Sequence, residues 1–369
     1  MSSAPVRNRP LLAYASRGFG PHDARFIRLA VDAGFQVKHF RFDGKDLERD
    51  AHHYPEFAIP ADWLGCRVQL EQPRLDEFVS AFQRACSGIS PDVVQAGPLT
   101  DVALVALRAG VAPLLATSWA SDVLAEATSS AAKSAAVAEV VQGTKTLLVD
   151  CMTVRDVAIQ HGANSASILV VPWGVDLSKF SFSVKKSDSP RLKIISLRSH
   201  EALYDLHTLL DAVALLPRSA VELVVGGGGS LTLELQRYAE KLGIGSEVTW
   251  IGEVVESELP QLIEDADVYV STSPVDGSSV SLLQAMAIGR PAIITDIASN
   301  REWISVGEQG WLFPAGDAQE LSYQIEFCLG HRREVLESGE RARHRVAQDA
   351  DWSSGREKIA SELLKLAGR

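Results

Sequence analysis

Cysteine is scarce in this chain. Its four cysteines, Cys66, Cys86, Cys151 and Cys328, stand singly among 369 residues with no CxxC pair. That spacing excludes a disulfide framework and a cysteine-rich zinc site, and it points to reduced thiols in a cytoplasmic compartment. Long apolar runs are lacking too: none approaches the 18 or more residues of a spanning helix, so no transmembrane segment is expected. The N-terminal MSSAPVRNRP has no apolar core, and the LLAYAS that follows has the length of a strand, so no signal peptide is expected. There is no basic excess. With 47 acidic and 36 basic residues the net charge is −11, which argues against a nucleic-acid partner and gives no support for docking on an anionic membrane surface. His52 and His53 have no further ligand at metal-binding spacing, so they read as loop residues and no metal is expected.

A hydrophobic content of 46% with 22% charged residues describes a folded globular protein. The length calls for two domains of about 100–200 residues each. Short β-rich runs recur at Leu11–Ser16, Val37–Phe42, Val93–Ala96, Leu114–Trp119, Thr146–Asp150 and Ile168–Pro172. A second series follows at Lys193–Leu197, Val221–Val225, Val248–Gly252, Asp267–Thr272, Ala292–Asp296 and Trp311–Phe313. Amphipathic stretches such as HDARFIRLAVDAG and LELQRYAEKLG separate them. This alternation predicts two Rossmann-like α/β domains, each a parallel sheet covered by helices. The polar Ser181–Arg191 segment reads as a linker. The expected domains are 1–178, 179–350 and a closing helix at 351–369. Ligands of such sheets bind beyond the carboxyl ends of the strands, so the cleft between the two domains is the expected site.

The most informative stretch is DGSSVSLLQAMAIGRPAIITDI, Asp276 to Ile297. The strand DVYVST runs into a loop holding Asp276, Gly277, Ser278 and Ser279. That loop opens a helix from about Val280, with Gln284 eight residues beyond Asp276. Amides at a helix start are unpaired and coincide with the positive end of the helix dipole, which suits an anion such as a diphosphate.

This pattern resembles the acidic-x7-acidic signature of retaining glycosyltransferases with the GT-B fold, in the group 1 (family 4) class. Asp and Gln stand here where that family has Glu and Glu. The resemblance implies that Asp276 meets the donor sugar and Gln284 the nucleotide ribose. Gln284 donates and accepts but carries no charge. SLRSHEALYDLHTLL aligns with the segment that carries an Arg and a Lys on the donor diphosphate. Arg198 matches, with a planar fork suited to phosphate oxygens, and Tyr204 takes the Lys position. SRGFGPHDARF resembles the first strand–glycine loop–helix, where Gly18 and Gly20 let backbone approach the donor; a plain tight turn accounts for the same residues. PLLATSWASDVLAEA is similar to a His-Gly-Ser-Asp-like turn on the acceptor or sugar side. Trp119 stands for His and Ala120 for Gly, and helix capping by Asp122 competes with a sugar-side role. ILVVPWGVDLSKF matches the interdomain segment, and Gly226–Gly229 reads as a permissive turn near the nucleotide.

The resemblance implies a retaining, hexosyltransferase-like enzyme that needs no metal or other cofactor. A nucleotide-sugar would be its donor. Its acceptor would be a small metabolite, a glycan or a lipid-linked glycan. Its final helix would cross back to the first domain. Two other readings stand beside it: a pseudo-glycosyltransferase, and a non-catalytic subunit that binds a nucleotide-sugar.

Overall fold

The computed structural model describes residues 9–42, 68–184 and 189–369. Met1–Asn8, His52, His53, Cys66 and the central part of the expected linker lie outside the described residues. The chain divides into two compact units, Met1–Val171 with Arg356–Arg369, and Pro172–Gly355.

The first unit carries a six-stranded sheet of β1 (Leu11–Ser16), β2 (Gln36–Arg41), β3 (Val93–Ala96), β4 (Leu114–Thr117), β5 (Thr146–Val149) and β6 (Ile168–Val170). The spatial order is β2-β1-β3-β4-β5-β6 and all its pairings are parallel. The second unit repeats the plan with β7 (Leu192–Leu197), β8 (Val221–Gly226), β9 (Val248–Gly252), β10 (Val268–Ser271), β11 (Ala292–Thr295) and β12 (Gly310–Phe313). Its order, β12-β11-β10-β7-β8-β9, is also fully parallel and is the doubly wound dinucleotide-fold order. All twelve strands expected from the sequence are present. The middles of β1 and β7 are apolar because helices cover both faces of each sheet: Leu12, Ala13, Ile194 and Ile195 are buried.

The units join at 171/172 and 355/356, a few residues from the expected 178/179 and 350/351. Hydrogen bonding explains the offset. Val175 donates its amide to the Ala350 carbonyl at 2.9 Å and accepts from Trp352 N–H at 3.0 Å. Val175 and Phe180 are buried with Leu282, Met286 and Val346. Both crossing segments are thereby tied into the second unit before they leave it. The helix Trp352–Leu366 runs from that tie into the first unit, where Arg356 pairs with Asp32 and Glu362 accepts from Thr146 Oγ1 at 2.6 Å.

One packing contact fixes the helix Val280–Ile288, whose start carries the expected site. The long helix Arg332–Asp349 lies across it, and the two touch at glycines. Gly289 ends the shorter helix with φ +92, a left-handed conformation that favours glycine. A Cβ on Gly339 would be driven into the Gly289 carbonyl oxygen. Gly339→Ala therefore sets two effects against each other. Helix propensity favours alanine by about 1 kcal/mol, whereas backbone overlap in a close-packed contact costs about 1–3 kcal/mol. The clash should win, and urea denaturation of the variant should show a net loss of stability; a gain would mean that the two helices are not held this closely.

Candidate active site

In an open parallel sheet, the crevice for ligands lies where neighbouring strands send their connections to opposite sides. In the second unit that point falls between β7 and β10. Arg198 is the first residue after β7, and Asp276 sits in the loop after β10. The structure brings these two together, with Arg198 Nη2 donating to Asp276 Oδ2 at 2.7 Å. Arg198 Nη1 donates to Ser279 Oγ at 2.6 Å and, more weakly, to Ser281 Oγ at 3.4 Å. The Tyr204 ring lies under the guanidinium, 4.3 Å from Cζ to the ring centroid, within cation–π range. The Arg198 side chain is 8% exposed and that of Asp276 19%.

Burial alone would weaken the Arg198 charge, but Asp276, Tyr269 and Tyr204 more than offset it, so the guanidinium is held above its ordinary value. Burial raises the Asp276 carboxyl above the usual range against the opposing pull of Arg198. Arg198 Nε is buried without a hydrogen-bond partner among the described residues. The planar fork expected to face a diphosphate is thus already occupied by the protein's own oxygens. Tyr204, at the expected Lys position, contributes a ring face and no second cation.

Around this pair the loops are tightly braced. Ser299 Oγ donates to the Asp276 carbonyl at 2.6 Å, and Gly277 N–H to Asp276 Oδ1 at 3.0 Å. Ser278 is 2% exposed, and its Oγ accepts from Trp303 Nε1 at 3.1 Å. Val280 begins the helix. Gln284 is buried on that helix, one turn beyond Val280, and does not join the Arg198 hydrogen-bond set. The glycine run after β8 has a closer task than a loose turn near a ligand. A Cβ at Gly227 would overlap the Arg198 carbonyl, and one at Gly229 the His200 carbonyl. His200 N–H bonds Gly228 O at 3.0 Å, and Glu201 accepts from Ser230 N–H at 2.7 Å. The glycines let the β8 loop lie directly against the loop that carries Arg198.

Two members of the set were missed in the sequence. Tyr269, fully buried on β10, shares a 2.8 Å hydrogen bond with Ser281 Oγ. The signal was a tyrosine in an otherwise apolar buried strand, since a buried Tyr hydroxyl usually finds a partner.

The first unit holds the other expected residues. Gly18 accepts from Ser16 Oγ, and the Gly20 amide is donated to Asp23 Oδ2 at 2.9 Å. That amide is committed to starting the helix Pro21–Asp32. Asp23 also accepts from Tyr14 Oη at 2.9 Å, and burial pushes its pKa up to about 6. Trp119 is half-buried and packs near the rings of His22 and Phe26, with centroids 5.6 and 5.9 Å away. Asp122 has no exposed surface; its oxygens accept from Leu99 N–H, Ser118 Oγ, Trp119 N–H and Val123 N–H at 2.7–3.0 Å. Burial raises it to about 6 as well. Asp122 therefore bolts the loop after β3 to the turn after β4, and a sugar-side contact is not available to it here. The turn it secures is tight: Ser121 N–H bonds Trp119 O at 2.7 Å across Ala120, whose φ of +61 and ψ of −57 are strained for a residue with a Cβ.

Among the described residues no group of three or more His, Cys, Asp or Glu is placed to hold a metal ion. No described helix is long and apolar enough to cross a membrane.

Residues 178–345 match the family model described as Glycosyl transferases group 1. The chain is 28% identical over 211 residues to a glycosyltransferase of Salmonella typhimurium named for colanic acid biosynthesis, WcaL, an alignment covering 55% of this chain and 52% of the other. It is 27% identical over 217 residues to the phosphatidyl-myo-inositol mannosyltransferase of Mycobacterium leprae, covering 56% and 55%. The chain spans about half the length of these relatives. Among solved structures, the Anabaena HepE protein in complex with UDP-glucose superposes with a TM-score of 0.75 at 19% identity, over 96% of this chain and 99% of that one. The structural likeness carries the fold, which is GT-B, and the sequence match places residues 178–345 with the model of the group 1 glycosyltransferases.

Proposed function

We propose that the protein is a retaining glycosyltransferase that moves a sugar from a nucleotide-activated donor to a glycan, a lipid-linked glycan or a small metabolite. The observation that carries this reading is the Arg198–Asp276–Ser279 group at the β7/β10 switch point, at the start of the Val280–Ile288 helix, inside the segment matched by the family. Support for a nucleotide-sugar donor comes also from HepE, solved with UDP-glucose.

The chemistry is electrostatic. A departing diphosphate needs positive field, and an oxocarbenium-like carbon needs ordered oxygens around the sugar. Arg198 and the amides of Ser278–Val280 supply the first without solvent reorganisation. Asp276 supplies hydrogen bonding to sugar hydroxyls, and Gln284 to ribose hydroxyls. Retention follows from attack on the face the leaving group vacates, assisted by the leaving phosphate, so no protein nucleophile is required. The reading needs no metal, because a cation and helix-start amides face the leaving group. A cytoplasmic location belongs to the same proposal, as sugar nucleotides are used there.

A second reading, a subunit that binds nucleotide-sugar without turnover, draws on one observation. The Arg198 terminal nitrogens are filled by Asp276 and two serines, and Gln284 replaces an acid. Binding with no transfer to any acceptor and no donor hydrolysis would select it.

Two measurements test the donor assignment. A cognate nucleotide-sugar at 100 times its Kd should stabilise the fold by about 2.7 kcal/mol. If UDP-, GDP-, ADP-, dTDP- and CMP-sugars at millimolar concentration all leave the melting temperature unchanged, the enzyme reading fails. With the cognate donor in hand, Gln284→Leu removes both donor and acceptor from a buried side chain and should weaken binding by about 1–3 kcal/mol. Gln284→Glu should bind nearly as well as wild type, because a carboxylate also accepts from ribose hydroxyls. Wild-type affinity in Gln284→Leu would remove that side chain from the ribose.

A further inference from the structure

We propose that Asp276 is a specificity-determining residue: it occupies the phosphate position on Arg198 and yields it only to a diphosphate, which then frees its carboxylate for the sugar. The inference rests on the donor reading above and names how that site chooses its ligand.

The two oxygens in question are chemically alike. A carboxylate and a phosphate both offer anionic oxygens to a guanidinium, and such charge-assisted bonds are the strong ones. Arg198 Nη2 spends its short bond on Asp276 Oδ2 at 2.7 Å, and the rest of the guanidinium is enclosed. Of the two partners the carboxylate is the more exposed, 19% against 8%, so an arriving anion meets the Asp276 side of the pair.

The surroundings allow the carboxylate to move while everything else stays. Arg198 has partners besides Asp276 in Ser279 Oγ, Ser281 Oγ and the Tyr204 ring, and Ser279 also hydrogen-bonds the Asp276 carboxylate. Ser281 is in turn held by Tyr269. The Asp276 main chain is pinned by Ser299 Oγ on its carbonyl. Its Oδ1 has the amide of the adjacent Gly277 as partner, a bond that a side-chain rotation breaks at little cost. Loss of the Nη2 bond therefore leaves the carboxylate held only by the neutral donors of Gly277 and Ser279, and leaves the guanidinium in place.

The consequence is an order of events. A neutral sugar cannot displace a carboxylate from a buried guanidinium, because it brings no charge to replace the one it removes. A diphosphate brings more charge and several anionic oxygens. Only after it lands is the Asp276 carboxylate free of the guanidinium, ready for sugar hydroxyls. Free sugars are excluded, and sugar binding is coupled to the presence of the leaving group.

Calorimetric titrations with pyrophosphate, UDP, GDP, ADP and free glucose decide the matter. Asp276→Asn removes the competing anion yet keeps an oxygen for Arg198. It should bind pyrophosphate and the best nucleoside diphosphate about tenfold more tightly, the gain expected when a site that is one-tenth available becomes fully available. Turnover of the cognate nucleotide-sugar should fall in the same variant. Weaker diphosphate binding by Asp276→Asn would overturn the proposal, because Asp276 would then be orienting Arg198 for phosphate. Should that variant not fold, crystals of the wild-type protein soaked with the same diphosphate give the answer. The 2.7 Å Arg198–Asp276 contact should be open, and a diphosphate bound on Arg198 with the contact intact would sink the idea. Failure of every diphosphate to bind defeats the donor reading as well, whereas binding beside an intact pair defeats this inference only.

Discussion

A guanidinium taken out of water must be met by an anion and by enough oxygens to fill its donors, since an unpaired buried charge costs several kcal/mol. Arg198 imposes that requirement on the second unit, and much of the local structure answers it. Asp276 supplies the anion. Ser279 and Ser281 supply the oxygens, and Tyr269 reaches from the core of β10 to hold Ser281. Gly227 and Gly229, after β8, bring a second loop against the backbone of Arg198 and His200 with no side chain between them. Trp303 and Ser299 lock the loop that delivers Asp276. The helix Val280–Ile288 begins inside this assembly, and a glycine contact at its far end keeps it seated on Arg332–Asp349.

The fold was legible because its signal is periodic and local. Every strand of both sheets shows as a short β-rich run, and the departures lie at the ends. Leu114–Trp119 was read as one strand, yet β4 stops at Thr117, because Ser118 and Trp119 turn back to meet the Asp122 carboxylate. Asp267–Thr272 shortens to Val268–Ser271, as the Asp267 carboxylate accepts from Lys193 N–H where the two central strands begin. What strand patterning does not contain is which loops meet.

The site was legible in its residue types and less so in its contacts. Arg198 and Asp276 stand 78 residues apart and were given separate tasks, the diphosphate and the sugar. Their pairing follows from β7 and β10 being neighbours at the switch point, a fact of strand order that neither motif carries. The glycine run was visible, but its partner was not, since a glycine announces a close approach without saying what approaches. Gly20 illustrates the same limit: its amide is free in the motif and occupied in the fold, because Asp23 three residues on reaches back to it.

The two units solve the same geometric problem with opposite electrostatic results. In the first unit the switch point lies between β1 and β3, and it too is bridged by an arginine. Arg17, after β1, donates to Asp101 at 2.7 Å and to both oxygens of Glu126 at 2.8 and 2.7 Å, with Thr100 Oγ1 at 2.8 Å. Two carboxylates there surround one guanidinium, and Lys133 reaches Glu126 only at 3.7 Å. Although burial opposes it, Arg17 holds the Glu126 carboxyl down to about 2, so that group stays charged at any ordinary pH. An anion approaching Arg17 meets two carboxylates, and the bidentate Glu126 contact leaves no single bond whose loss would admit it. At Arg198 one carboxylate balances one guanidinium, a single hydrogen bond joins them, and a helix start adds positive potential. Around Arg17 two carboxylates and a threonine hydroxyl fill the guanidinium, whereas around Arg198 one carboxylate does so beside two serine hydroxyls. The duplicated architecture thus puts an arginine at each switch point, clamped by two carboxylates in the first unit and paired with one in the second.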